Sequence, residues 1–273
     1  MSIDLDREYN TRLWAPDFAA TIARHGLLGE AARARNGVLL DLRWGPGPRQ
    51  TLDFFGVARA AGPLVLCIHG GYWQFRTTSK ASVAFLAPSF LERGIAYCAV
   101  SYELCPEVTM DQMVGQLREA VRWVRANPTL LGYRVERLTA IGHSAGGHLA
   151  AMLALSPEGL VDAACGVSGL YELAPIANTY LNEPLRMDAA IAARNSPLLR
   201  VRENLLKPPP MVLGVGGLES PEFKRQAAEF GRIYPAPVFE LAGKNHYDAT
   251  EALAAPGPFQ DAVMRIARCP NEP

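Results

Sequence analysis

The chain has 273 residues, 49 % hydrophobic and 20 % charged, a composition that supports a core burying roughly 75 % of the unfolded surface and excludes disorder. Lysine plus arginine and aspartate plus glutamate each number 27, and no basic cluster offers a phosphate track, so nucleic acid is not expected as a partner. Met1-Ser2-Ile3-Asp4-Leu5-Asp6 carries acids where a signal peptide needs bases and an apolar run. The longest apolar stretches, such as Leu149 to Leu155, fall far short of a membrane span, so no membrane association is expected. The five cysteines, Cys67, Cys98, Cys105, Cys165 and Cys269, are odd in number and lack C-x-x-C spacing. They read as reduced thiols of a soluble, cytoplasmic protein.

In chain order, residues 1–36 read as an N-terminal helical segment. Pro16-Asp17 gives a start signal, Phe18, Ile22, Leu27 and Leu28 a partial apolar face, and Asn36-Gly37 an end. Val38–Leu42 and Thr51–Phe55 predict an antiparallel hairpin across Gly45-Pro46-Gly47-Pro48. From residue 64 the grammar becomes βαβ. Strands are expected at 64–68, 95–100, 135–141, near 162–168, at 211–215 and near 238–241, with helices near 79–93, 111–126, 144–155, 221–233 and 248–268. About eight strands result, the first two antiparallel and the rest parallel, with helices on both faces. Residues 169–208 are too long for a plain connection and predict a small helical cap insertion within a single domain spanning 1–273.

Three segments carry chemistry. Gly142-His143-Ser144-Ala145-Gly146 follows an apolar strand and opens a helix, the context of a nucleophile elbow, with Ser144 as candidate nucleophile. Leu66-Cys67-Ile68-His69-Gly70-Gly71-Tyr72-Trp73 runs from a strand into His-Gly-Gly. Attack on a carbonyl builds negative charge on oxygen, and the amides of Gly70, Gly71 and Ala145 are candidate donors to it. A serine hydroxyl also needs a base held by an acid, and in this topology both come later in the chain. Of the five histidines only His246 follows the elbow at a distance, in Gly243-Lys244-Asn245-His246-Tyr247-Asp248. Glu219 and Glu222 both stand beyond the strand at 211–215. Ser220-Pro221 reads as a helix start that places Glu222 in the first turn and leaves Glu219 free to meet the imidazole. Gly214-Val215-Gly216-Gly217 lacks the third glycine of a dinucleotide fingerprint, and the step from His143 to His148 does not fit H-E-x-x-H. No metal site and no organic cofactor is expected.

Further segments join these: His148-Leu149-Ala150-Ala151-Met152, Ser168-Gly169-Leu170-Tyr171-Glu172-Leu173, Asn195-Ser196-Pro197 and Glu219-Ser220-Pro221-Glu222-Phe223-Lys224-Arg225-Gln226. Together with H-G-G-Y-W they resemble the arylformamidase (kynurenine formamidase) branch of the α/β-hydrolases over roughly residues 60–260. The resemblance implies an α/β-hydrolase fold, with Ser144 as nucleophile, His246 as base and Glu219 in a position where better-known members carry Asp. It implies hydrolysis of an N-formylkynurenine-like arylformamide through an acyl-enzyme. A small aromatic substrate would need an apolar slot, for which Tyr72, Trp73, Tyr102, Tyr171, Phe223 and Tyr247 are candidates. A carboxylesterase for small acyl esters of aromatic alcohols is the alternative, and a non-catalytic binding module would lack a triad member. A homodimer is compatible with this reading.

Overall fold

The apolar runs become strands β1 (Val38–Arg43), β2 (Thr51–Phe55), β3 (Ala61–Ile68), β4 (Ala96–Val100), β5 (Arg134–His143), β6 (Ala163–Val167), β7 (Met211–Gly216) and β8 (Val238–Leu241). In the computed structural model, which describes residues 3–203 and 208–268, they form one sheet in the order β1-β2-β4-β3-β5-β6-β7-β8. β1 and β2 pair antiparallel, β2 lies antiparallel to β4, and every later pairing is parallel. β4, β6 and β7 are buried along their whole length, as expected when helices cover both faces of a parallel sheet.

One face is covered by α4 (Met110–Ala126), α6 (Ala145–Ala154) and α10 (Pro221–Ile233), the other by α2 (Phe18–Arg33), α3 (Ala87–Leu91) and α11 (Pro258–Ala267), each with its own apolar cluster. α4 shows why such a segment folds where it does. Thr109 and Gln112 form a reciprocal capping box, and Met110, Met113, Val114, Leu117, Val121 and Val124 recur at helical spacing and are buried. The remaining helices are short: α1 (Leu5–Tyr9), α5 (Pro128–Leu131), α7 (Asn182–Leu185), α8 (Ala189–Arg194) and α9 (Pro197–Glu203). α7 to α9 and a 3-10 turn at Ile176–Asn178 lie in the insertion expected at 169–208. Among the described residues no helix is long and apolar enough to cross a membrane. Cys269 lies outside the described residues.

The departures from expectation have local causes. The 1–36 segment is not one helix but α1, a 3-10 turn at Thr11–Trp14 and α2, interrupted at Asn10 and Ala15-Pro16. On α2 the expected apolar face points outward, with Ile22, Leu27 and Leu28 at least half exposed. The helix packs instead through Thr21, His25, Gly29 and Ala32; a Cβ at Gly29 would lie 2.7 Å from the Ala81 carbonyl oxygen, so close approach through small groups decides the face. The helix expected at 79–93 divides into a 3-10 turn at Lys80–Leu86 and α3. The final helix is likewise split into a 3-10 turn at Asp248–Leu253 and α11 by Pro256-Gly257-Pro258.

The register brings the carboxyl ends of the central strands together. Ile68 pairs with Gly142, and His143 with Val167. Loops after β3, β5, β7 and β8 therefore open at one rim, where an open α/β sheet places its ligands.

Candidate active site

Ser144 occupies the single residue between the end of β5 and the start of α6, with φ 57° and ψ −121°. Positive φ is rare for a non-glycine residue and costs on the order of 1–3 kcal/mol, which the surroundings must enforce. They do so by contact. The Ser144 N–H donates to the Val167 carbonyl at 2.8 Å. A Cβ at Gly142 would lie 2.0 Å from the Gly146 carbonyl oxygen, and one at Gly146 would lie 2.1 Å from that of Ile68. No side chain fits at either position while the turn is this tight.

Beyond β7, Glu219 accepts three hydrogen bonds. Its Oε2 takes the Nδ1–H of His246 at 2.6 Å, while Oε1 takes the Ser168 hydroxyl at 2.5 Å and the Gly216 N–H at 2.7 Å. Ser168 follows β6 and is itself held at φ 52°. With Nδ1 committed, the Nε2 lone pair of His246 is the basic position. Glu222 is engaged elsewhere, with Arg225 at 2.9 Å and the Tyr9 hydroxyl at 2.9 Å. His246 is fixed further by the His143 Nε2–H, which donates to its carbonyl at 2.7 Å, so the residue before Ser144 grips the His246 loop. The two rings lie 4.7 Å apart between centroids. Among the described residues no hydrogen bond joins the Ser144 hydroxyl to His246 in this conformation; such contacts commonly tighten only with substrate bound.

The loop after β3 carries Gly70 against the elbow, where a Cβ would lie 3.2 Å from that of Ser144. Gly71 adopts φ +107°, and a Cβ there would lie 2.3 Å from the Thr78 hydroxyl. Ala145 opens α6, so its N–H is one that a helix leaves without an intrahelical acceptor. Tyr72 and Trp73 continue the loop at φ 44° and 58°. Trp73 Nε1–H donates to His148 Nδ1 at 3.1 Å, and His148 Nε2–H donates to the Asn195 carbonyl at 2.8 Å. This fixes His148 as the neutral Nε2–H tautomer and ties the loop to the insertion.

Burial holds the pKa of both His148 and His69 down to about 4, from an ordinary value of 6.5. Between those values the unfolded chain binds more protons than the folded one. The contribution of each group to stability should therefore fall as pH drops from about 6.5 to about 4, by roughly 3 kcal/mol, and change no further below that. Thermal melts from pH 8 to pH 4 should show this acid limb, and His148→Gln should make it shallower; an unchanged limb removes His148 from the account.

The aromatic slot differs from expectation. Trp73, Tyr102 and Tyr171 are wholly buried and take core partners: Trp73 bonds His148, Tyr102 stacks on His69 and donates to its carbonyl at 2.8 Å, and Tyr171 stacks on Phe230 at 4.3 Å. They are packing residues, because their rings are spent inside the sheet–helix layers. The Tyr72 hydroxyl donates to the Tyr9 carbonyl at 2.6 Å, and the Tyr247 hydroxyl bonds Thr11 at 2.9 Å, so both serve the N-terminal segment. Phe223 does reach the site, with its ring 4.6 Å from that of His246. The narrow cleft beside His246 is lined by Phe223, Glu219 and Ser220 and, unforeseen from the sequence, by Glu8, Thr11 and Trp14. The breaks at Asn10 and Pro16 are the one signal that could have separated this wall from α2.

Comparison with known proteins agrees with this geometry. The BD-FAE family matches residues 53–209. Kynurenine formamidase of Salmo salar is 34 % identical over 276 residues, covering 92 % of this chain and 90 % of that protein. Kynurenine formamidase of Danio rerio is 34 % identical, covering 83 % and 81 %. A crystal structure of a candidate thioesterase from Silicibacter sp. TM1040 superposes with a TM-score of 0.85 at 29 % identity, covering 96 % of this chain and 99 % of that one. With its eight-stranded sheet and these relatives, the chain is an α/β-hydrolase that belongs to the kynurenine formamidase family.

Proposed function

We propose that this protein hydrolyses an arylformamide through a formyl-enzyme, with Ser144 as nucleophile, His246 as general base and acid, and Glu219 as the group that orients His246. The observation that carries the assignment is the 2.6 Å bond from His246 Nδ1–H to Glu219, which leaves Nε2 as a base on the rim that Ser144 occupies. Ser144 Oγ attacks the formyl carbon and its proton passes to Nε2. The amides of Gly70, Gly71 and Ala145 receive the developing oxyanion. The C–N bond breaks as Nε2 returns the proton to the departing arylamine. Water then attacks the formyl ester of Ser144 by the same route, releasing formate and restoring the hydroxyl. Every proton in this cycle moves between side chains of the chain, substrate and water.

Cys67, Cys98, Cys105 and Cys165 are free and buried, which supports a reducing, cytoplasmic setting. Parallel assays of formate release from an N-formyl arylamine and of a short-chain aryl ester test the activity. Turnover of the amide supports the assignment, and turnover of the ester alone replaces it with a carboxylesterase.

A further inference from the structure

The two halves of the oxyanion hole come from different elements: Ala145 opens α6, while Gly70 and Gly71 stand on the loop after β3. Their spacing must therefore be set by contacts between elements. The loop is also held in an uphill conformation, because Tyr72 and Trp73, directly after the glycines, both adopt positive φ, 44° and 58°. Bulky residues in that region cost on the order of 1–3 kcal/mol each, so their surroundings must keep them there.

One such contact crosses the gap. His148 lies in the first turn of α6, close after Ala145, and is wholly buried, as is Trp73. Its Nδ1 accepts from Trp73 Nε1–H at 3.1 Å, with the two rings edge to face at 5.1 Å between centroids. Its backbone N–H donates to the Ser144 carbonyl at 3.1 Å, which keeps the ring in step with the elbow. The other ring nitrogen donates to the Asn195 carbonyl at 2.8 Å, and the Asn195 amide is anchored in turn on Asp111 at 2.9 Å and on the Ile191 carbonyl at 3.0 Å. Trp73 is gripped from its backbone by the Cys105 N–H, which donates to its carbonyl at 2.9 Å. Both nitrogens of His148 are thus committed to fixed partners, one in the oxyanion loop and one in the insertion. A buried hydrogen bond with no water to replace it is strongly destabilising to leave unmade, so the Trp73–His148 bond acts as a strut of set length between loop and helix.

We propose that His148 is a positioning residue of the oxyanion hole, joining the glycine loop to the elbow helix through Trp73 so that the amides of Gly70, Gly71 and Ala145 converge on one oxygen. The role rests on the serine-hydrolase reading of Ser144 and His246 and adds the group that sets their transition-state binding. The test uses the full chain and two variants: His148→Phe keeps a ring and loses both bonds, while His148→Gln keeps an acceptor and a donor. A melting curve on each preparation shows that it is folded. In His148→Phe, kcat should fall about tenfold to a hundredfold with KM changed less than about threefold, since displaced donors are missed only in the transition state. Phenylboronic acid, whose boron takes Ser144 Oγ to form a tetrahedral anion, should bind more weakly by a similar factor. Aniline, which puts no charge in the hole, should bind within about twofold of its affinity for the parent chain. His148→Gln should lose less than His148→Phe on kcat and on boronic acid. An unchanged kcat in His148→Phe, equal weakening of boronic acid and aniline, or an equal loss in the two variants would make His148 a packing residue and overturn the proposal. Should His148→Phe not fold, the split between the two ligands is read at smaller size on His148→Gln, where equal weakening of both or of neither overturns it. Formanilide and phenyl acetate are both assayed, because the hole serves amide and ester alike. If only the ester is turned over, the formamidase assignment fails and the His148 assignment is decided on the ester; if neither is, the boronic acid still decides it.

Discussion

Ser144→Ala should lower kcat for an N-formyl arylamine by several orders of magnitude, leaving roughly 10³ to 10⁴ over the reaction in water from the oxyanion donors and binding alone, as in other serine triads. The substitution removes one oxygen and leaves the backbone demand unchanged, since alanine at φ 57° is strained as serine is. The turn is enforced by Gly142, Gly146 and the bond to Val167 rather than by the hydroxyl. The thermal midpoint should therefore stay close to that of the parent chain, and KM should change little. Steady-state kinetics with a melting curve on the same preparation decide it. Near-normal turnover would remove Ser144 from the mechanism.

Glu219→Gln should be nearly as damaging, about 10⁴ in kcat, the magnitude found when a triad carboxylate elsewhere is replaced by its amide. The reason lies in the two donors behind the acid. Ser168 and Gly216 both give hydrogen to Oε1, so a glutamine there keeps its oxygen on them and turns its NH₂ toward His246 Nδ1. The imidazole must then carry its proton on Nε2, where the base is needed. Glu219→Asp tests the same geometry by reach. A side chain one methylene shorter cannot hold Ser168, Gly216 and His246 together, so activity should fall while the charge stays. Full activity in Glu219→Gln would show that tautomer control is not what this carboxylate provides.

Much of this architecture is legible in the residues. α10 and β8 fall where Ser220-Pro221 and the short apolar run put them, and α4 is signalled by its capping box and stripe. The elbow was readable because strand, tight turn and helix require glycines at 142 and 146, a steric demand that the sequence displays directly. Glu219 could be separated from Glu222 because a helix start constrains what the next residues can reach. Other features depended on tertiary facts with no local signature. Nothing in Tyr102 or Tyr171 says whether a ring faces a ligand or a helix. The outward face of α2 shows hydrophobic periodicity yielding to close approach at Gly29. Glu8 and Thr11 were hidden for the same reason: their partners, Glu222 and Tyr247, stand more than 200 residues away in the chain, as do Phe223 and His246, beside which Trp14 lies.

That separation bears on how the protein is made. Tyr9 and Glu8 emerge from the ribosome more than 200 residues before Glu222 and Gln226, which hold them, so this wall can form only after all of the intervening chain has been synthesised. Until then the side of His246 that Glu8, Thr11 and Trp14 line stays uncovered, so the surroundings of the imidazole are completed later than the elbow at Ser144.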